Sequence, residues 1–427
     1  MTSEPLLEQP TEAYVWIWLA GSTHPVVAGR LEATGDIINF NYGRSYLARD
    51  DAIPLYLPEL PLRPDRIAPL PGLTIPGCIA DAVPDAWGQR VIMNRVLGAG
   101  AGAEDPAALG PLTYLLQSGS DRIGVLDFQL SPDEYVPRVV GGASLDELVE
   151  SADRVEHGIP LSPNLDQALL HGSSVGGARP KALLDDGRGR KLIAKFSSTT
   201  DTYPVVKSEY AAMELARRAG LDVAAVELTH ALGKDVLLIE RFDRPPGTGQ
   251  RRSVVSALTI LELDELLARY ASYADLAQTI RERFTDPRRT LRELFARIVF
   301  NVLVGNNDDH ARNHAAFWDG ANLSLTPAFD ICPQPRSGRE TAQAMAIGAD
   351  GFKMSHVAGC VAAAPVYLLS EADAREIVDR HIEVIETEWP DVCDLARLTR
   401  TEREYFWRRQ FLNPYAVEGY QRPVGTS

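Results

Sequence analysis

The sequence predicts an α+β fold of two lobes preceded by an α/β module, and three observations carry that expectation. Between about residues 181 and 242, short apolar runs alternate with turn residues around one helical stretch, the pattern of a small β-rich lobe. From about residue 256, apolar positions recur at helical spacing instead. Ahead of both, residues 13 to about 130 mix strand-like and helical runs. The expected boundaries are 1–135 for the N-terminal module, 136–255 for the small lobe and 256–427 for a mainly helical large lobe. A chain of 427 residues is long enough for two or three such units with sizeable cores.

Taken in order, AYVWIWLA (13–20) and GVLDFQL (124–130) read as strands of the module, and DAWGQRVIMNRVLG (85–98) as a helix ended by glycine. In the first strand, Trp16 and Trp18 share a face opposite Val15, Ile17 and Leu19, which suits core or interface more than a ligand platform. Residues 144–157 and 163–171 are expected to be helical. HGSSVGGARPKALL (171–184) is a turn-rich loop entering a strand, DDGRGR (185–190) a hairpin turn, and KLIAKF (191–196) the returning strand. EYAAMELARRAGL (209–221) reads as a glycine-capped helix, followed by strands VAAVELTH and DVLLIERF joined by ALGK (231–234). In LRELFARIVFNVLV (291–304), Leu291, Leu294, Phe295, Ile298 and Val302 fall on one helical face. AAFWDGANLSLTPAFD (315–330) reads as a hairpin around Asp319-Gly320, and the remainder from about 370 as mainly helical.

Composition narrows the function classes. The formal charge of −15 excludes nucleic-acid binding driven by the chain's overall electrostatics. No apolar run is long enough to span a bilayer, and the acidic start MTSEPLLEQPTEA lacks the basic start of a signal peptide. Cys78, Cys332, Cys360 and Cys393 lie far apart without a CxxC pair, which fits a reducing cytoplasm. The chain has 37 arginines against six lysines, and five of the six (Lys181, Lys191, Lys195, Lys207, Lys234) fall between 181 and 234; Lys353 is the sixth. Lysine is a compact point charge and arginine a planar fork, so one or two of these lysines are expected to serve a tight site.

The chemistry concentrates in FNVLVGNNDDHARNHAAF (300–317), where an apolar helix runs into a cluster of polar groups. Asp308 and Asn313 are five apart, and Asp330 follows at the end of the hairpin. Phosphoryl transfer uses such a set: one carboxylate to orient a hydroxyl and accept its proton, a carboxamide oxygen and a second carboxylate to hold Mg²⁺ on nucleotide phosphates. The catalytic loop of protein kinases has the same Asp-to-Asn spacing. Upstream, SSVGGA (173–178) could lay backbone N–H groups along phosphates. Lys195, inside an apolar strand, must find an anion, because an unpaired buried charge is expensive. Glu209 is a candidate partner for it by analogy with kinases, and LLIERF (237–242) suits an interlobe hinge facing adenine.

Several of these segments together resemble the HipA family of toxin kinases: SSVGGARPKALL, LIAKF, SEYAAMELARRAGLDV, LLIERFDR, GNNDDHARNH and LTPAFDI occur in that family's order, with VPDAWGQRVI and SGSDRIGVLDF resembling its N-terminal module. The resemblance spans roughly residues 13 to 400. It implies a two-lobed, protein-kinase-like fold and an ATP- and Mg²⁺-dependent serine/threonine kinase, paired with a helix-turn-helix antitoxin through which any DNA contact would run. It implies Asp308 as catalytic base, Asn313 and Asp330 as metal ligands and Lys195 as the phosphate lysine. Glu240, Arg241 and Phe242 would form the adenine hinge, Gly176, Gly177, Ala178 and Lys181 the phosphate loop and the strand after it, and His310 part of the catalytic-loop motif. Ser174, or its neighbour Ser173, would be the autophosphorylated loop serine. The protein substrate would be a component of translation such as an aminoacyl-tRNA synthetase. ARPK stands here where some members carry AQEK.

Competing readings use the same residues. His310 and His314, four apart, would face one way on a helix and suit zinc, though spacing shows no third ligand. Asp309 reads as a solvated or loop-capping acid, and Asp243 as a partner of Arg241 or Arg244. ELDELL and EADAREIVD read as solvated helix faces. A nucleotide-binding regulator without catalysis, or a small-molecule kinase, would share much of the pattern.

Overall fold

The computed structural model describes residues 9–97, 109–138, 143–159, 161, 162, 165, 179–335, 338 and 340–422. Among these residues the named strands form three antiparallel sheets.

The first belongs to the N-terminal module: β1 (Glu12–Ile17), β2 (Val26–Thr34), β3 (Ile37–Tyr42) and β4 (Leu126–Gln129), ordered β3-β2-β1-β4. β1 and β4 are the expected strands; β2 and β3 are additional. A side chain on Gly29 in β2 would meet the Asn41 carbonyl and the Phe40 ring, so only glycine lets the two strands pair beneath that ring. Trp16 and Trp18 are both buried against Tyr135, each ring centroid 5.4 Å from it. The expected helix occupies Ala86–Leu97.

The small-lobe sheet contains β5 (Lys181–Asp185), β6 (Lys191–Phe196), β7 (Val226–Ala231) and β8 (Lys234–Glu240), ordered β5-β6-β8-β7. The β5–β6 turn is stapled by side chains: Asp185 and Asp186 accept from the Gly187 and Arg188 amides at 3.0 and 2.8 Å, satisfying N–H groups the ladder leaves over. Alternation along β6 sends Ala194 and Phe196 into a core shared with Trp87 and Val91 of the N-terminal module and with Leu148, Ala152 and Val155 of the Leu145–Glu156 helix. Burying Phe196 alone stabilises this packing by about 1.5–3 kcal/mol. A Ser144/Glu147 capping box starts that helix. The helix expected at 163–171 lies, apart from Leu165, outside the described residues. The Val205–Arg218 helix begins a turn before the expected residue 209, so Glu209 sits inside it instead of opening it.

The large lobe is built on the Tyr273–Arg283, Pro287–Val304 and Glu371–Leu395 helices. Leu291, Leu294, Phe295, Ile298 and Val302, the expected apolar face, are fully buried. A third sheet, β9 (Val254–Ser256), β10 (Ala315–Trp318) and β11 (Leu323–Leu325), is ordered β11-β10-β9 and includes the expected 315–330 hairpin. EADAREIVD lies on the long helix as expected, but ELDELL does not form one: residues 261–267 are turns and irregular chain, with Leu266 79% exposed. One core cluster runs from the N-terminal sheet through the Val205–Arg218 helix into the large lobe. The four cysteines are free and buried. Among the described residues no helix is long and apolar enough to cross a membrane.

Candidate active site

β6 delivers Lys195 to the face opposite Ala194 and Phe196. Its Nζ lies 2.6 Å from Glu209 Oε1 and also donates to Asp330 Oδ1. Asp330 comes from the large lobe and Glu209 from the small one, so the lysine bridges the lobes. The two carboxylates outweigh burial and hold Lys195 firmly protonated. Burial raises the Glu209 carboxyl, an effect Lys195 offsets only in part. Burial would raise Asp330 too, but Lys195, with Lys181 and His310 adding to it, takes its pKa down to about 2. Asp330 also has φ +58°, a left-handed conformation in a non-glycine residue, which costs of order 1–3 kcal/mol and persists only where surrounding contacts enforce it.

Those contacts are visible. Ala224 donates to the Ala328 carbonyl at 2.9 Å and Ala328 to that of Asp222 at 2.7 Å. Buried Arg297 donates to the carbonyls of Asp222 and Thr326 at 3.1 and 2.9 Å. The strand leading to Asp330 is thereby fastened both to the small lobe and to the Pro287–Val304 helix.

The polar cluster after that helix divides into scaffold and cleft. Gly305 ends the helix at φ +73°. Asn306 turns back to Asn301, whose Nδ2 donates to Asp309 Oδ2 at 2.7 Å. That oxygen also bonds His314 Nε2 at 2.9 Å and the Tyr273 hydroxyl. Of the two roles its sequence allowed, solvated or loop-capping acid, Asp309 is buried and holds the loop; three neighbours compensate its desolvation, and its pKa stays below the usual range.

Asp308, the next residue back, is exposed. Local desolvation is the largest influence and raises its pKa, His310 opposes it, and the negative charges of Asp330 and Asp309 raise it further. His310 and Asp330 thus both act electrostatically on Asp308. Asn313 Nδ2 donates to the Asp308 carbonyl at 3.4 Å. Residues 311–313 make a single 3₁₀ turn and His314 is committed to Asp309, so the two histidines do not present the paired face a zinc site would use. Among the described residues no three His, Cys, Asp or Glu side chains are grouped to hold a metal. The oxygen donors of Asn313 and Asp330 suit Mg²⁺, which takes one or two carboxylates and completes its shell from phosphates and water.

Lys181 lies opposite Lys195 in the β5–β6 register and is 2% exposed. Its Nζ is 3.7 Å from Asp85 Oδ2 of the N-terminal module. Burial is the larger influence and takes its pKa down to about 8, with Asp85 opposing. The other lysines of the 181–234 cluster pair with acids elsewhere: Lys191 with Asp185 at 2.6 Å, Lys207 with Glu402 at 3.3 Å and Lys234 with Asp153. In the ARPK segment, Arg179 is tied to Asp201 at 2.6 Å. Ser173, Ser174, Gly176, Gly177 and Ala178 lie outside the described residues.

At the end of β8, the Glu240 and Arg241 amides donate to the Ala225 and Lys191 carbonyls at 2.8 and 2.9 Å. The Phe242 ring packs on Phe317 and Phe329, with centroids 5.8 and 5.6 Å away. The Arg241 side chain leaves this region for the N-terminal module, where it meets Asp243 and Asp121. Sequence reasoning anticipated Asp243 in that pairing but missed Asp85 and Asp121. Neither carries a local signal, since each acts through a residue about a hundred positions away.

A lysine on an antiparallel sheet, paired with a helical glutamate and reaching an aspartate of a helical lobe, defines a two-lobed kinase-like fold. Residues 173–389 match the family described as HipA-like C-terminal domain, and residues 17–129 match the HipA N-terminal domain. The chain belongs to the HipA family. Its fold is similar to a chain of the Shewanella oneidensis toxin–antitoxin complex of HipA, HipB and operator DNA, with a TM-score of 0.62 and 19% identity over 94% of this chain and 99% of the other. In sequence it is 27% identical to Y4mE of Sinorhizobium fredii, provisionally named a kinase, over 70% of this chain and 72% of that one. It is 26% identical to the serine/threonine-protein kinase toxin HipA of Shewanella oneidensis over 37% of this chain and 42% of the toxin.

Proposed function

We propose that this chain is an ATP- and Mg²⁺-dependent serine/threonine protein kinase, acting in the cytoplasm as the toxin of a toxin–antitoxin pair. The observation that carries this reading is the contact of Lys195 with Glu209 and Asp330, within electrostatic reach of Asp308.

In this reading Lys195 and Lys181 hold nucleotide phosphates, and Glu240, Arg241 and Phe242 border the adenine. Asn313 and Asp330 would hold Mg²⁺, which when bound screens the charge of the transferred phosphoryl group. Asp308 orients the substrate hydroxyl and takes its proton as the oxygen bonds to the γ-phosphorus and ADP leaves. His310 stands within electrostatic reach of both Asp308 and Asp330. Gly176 to Lys181 would supply the phosphate loop and the strand after it. Autophosphorylation on Ser174 or Ser173 would add about −1.5 to −2 charge beside the nucleotide phosphates and so oppose ATP binding. The structural relative was solved with HipB and operator DNA, which supports a helix-turn-helix antitoxin as partner and DNA contact through that partner. The substrate expected from the family resemblance is a translation component such as an aminoacyl-tRNA synthetase.

The test compares wild type with Asp308→Asn. The variant should bind Mg-ATP with wild-type affinity and lose transfer of label from radiolabelled ATP to protein. Transfer by Asp308→Asn at the wild-type rate would refute the role of this residue. A wild type that binds Mg-ATP without transferring its γ-phosphoryl group to any protein or small-molecule acceptor would favour a regulator that works by binding alone.

A further inference from the structure

The segment after β8 sends two arginines out of the cleft. Arg241 and Arg244 are 3% and 6% exposed, and both enter the N-terminal module. Asp121 Oδ1 lies 3.0 Å from Arg241 Nη1 and accepts from Arg244 Nε and Nη2 at 3.1 and 3.0 Å. Asp243 Oδ2 accepts from Arg241 Nη2 at 2.8 Å, from Arg244 Nη1 at 2.7 Å and from the Gly124 amide at 2.8 Å. Further arginine donors end on the carbonyls of Arg122 and Gly124 at 2.7 and 2.9 Å. The module's side is itself anchored: fully buried Arg122 reaches Asp127 at 3.1 Å and the Ala82 carbonyl at 2.9 Å.

Two guanidinium groups meet two carboxylates directly, and Arg251, which donates to the Ser120 carbonyl at 3.2 Å, adds a third positive charge beside Asp121. Once removed from water, such a set contributes little net stability compared with apolar side chains of similar volume. What it does impose is direction, because each planar guanidinium donates along fixed lines. Arg241 and Arg244 bracket Phe242, and the Arg241 amide is already held by Lys191. Phe242 in turn packs on Phe329, the neighbour of Asp330.

We propose that the 119–127 segment of the N-terminal module is a clamp that sets the position of the Glu240–Phe242 hinge, with Asp121 as its positioning residue. The consequence for nucleotide affinity rests on the kinase reading; the clamp itself does not. Its effect reaches the nucleotide through the hinge backbone and Phe242, without Asp121 touching the ligand.

The test uses the full chain with Asp121→Asn and Asp121→Glu, read in two ways. In hydrogen exchange without nucleotide, Asp121→Asn should accelerate the amides of residues 239–243 and leave the β2–β3 hairpin unchanged, and Asp121→Glu should restore protection. In ATP titrations, Asp121→Asn should raise KM by about three- to thirtyfold while kcat stays within about twofold. Unchanged exchange at the hinge overturns the clamp, as does an acceleration spread evenly over the whole chain, which would mark a purely structural residue. A loosened hinge with unchanged KM overturns the claim that it positions nucleotide. A wild type that binds no ATP defeats the kinase reading, and hinge exchange still decides the clamp.

Discussion

Asp308 and Asp309 are adjacent carboxylates with opposite fates. Asp309 is buried and satisfied by Asn301, Tyr273 and His314, so it stays charged and holds the loop. Asp308 faces outward, and desolvation with two negative neighbours raises its pKa above the ordinary 3.8. In its proposed role as general base Asp308 works only when deprotonated, so activity should be present above this raised pKa and be lost as pH falls through it. The expected result is an acid limb of kcat/KM above the ordinary aspartate range, measured as a pH–rate profile. A limb at or below 3.8 would contradict the arrangement. Sequence spacing favoured Asp308, five residues before Asn313, but could not show that Asp309 is buried. Which of two neighbours is buried depends on Tyr273 and Asn301, on other turns of the fold; for that reason the solvated alternative for Asp309 fails and the loop-holding one stands.

The elements that read well from sequence have strong local signals. The β5–β6 hairpin carries a DDGRGR turn, and the Pro287–Val304 helix has an apolar stripe with a Pro start and a Gly end. β2, β3 and β9 were not read from the sequence: INFNY in β3 does alternate apolar and polar residues and was a missed strand signal, whereas the three-residue β9 is too short to show a period. Gly305 joins the best-read helix to the loop that carries Asp308 and Asp309. It has φ +73°, and a Cβ there would come 2.9 Å from the Gln410 carbonyl oxygen. Its own carbonyl accepts from Gln334 at 3.0 Å, tying the loop to the chain beyond Asp330. Gly305→Ala should cost at least about 1–2 kcal/mol from the left-handed conformation alone. Urea denaturation should show a lower midpoint with unchanged slope. A variant as stable as wild type would mean the helix-to-loop junction is not constrained as described.

At the scale of the whole molecule, the N-terminal module, small lobe and large lobe are not independent bodies. The module's Trp87 donates to the Lys181 carbonyl at 3.0 Å, and Trp318 of the large lobe donates to the Pro54 carbonyl of the module at 2.9 Å. This interlocking was not legible in the sequence: a boundary drawn from composition says where patterns change, not which surfaces meet. The two-lobed layout was legible, because strand-like and helical patterns occupy separate stretches of the chain. The central claim is that Lys195, Asp330, Asn313 and Asp308, drawn from both lobes, form one phosphotransfer site. Its most direct test is phosphoproteomics of cells expressing the wild-type chain beside cells expressing Asp308→Asn at equal levels. Serine or threonine phosphosites, among them Ser173 or Ser174 of the chain itself, should occur with wild type and vanish with the variant. Identical phosphosites in the two cultures would contradict that claim.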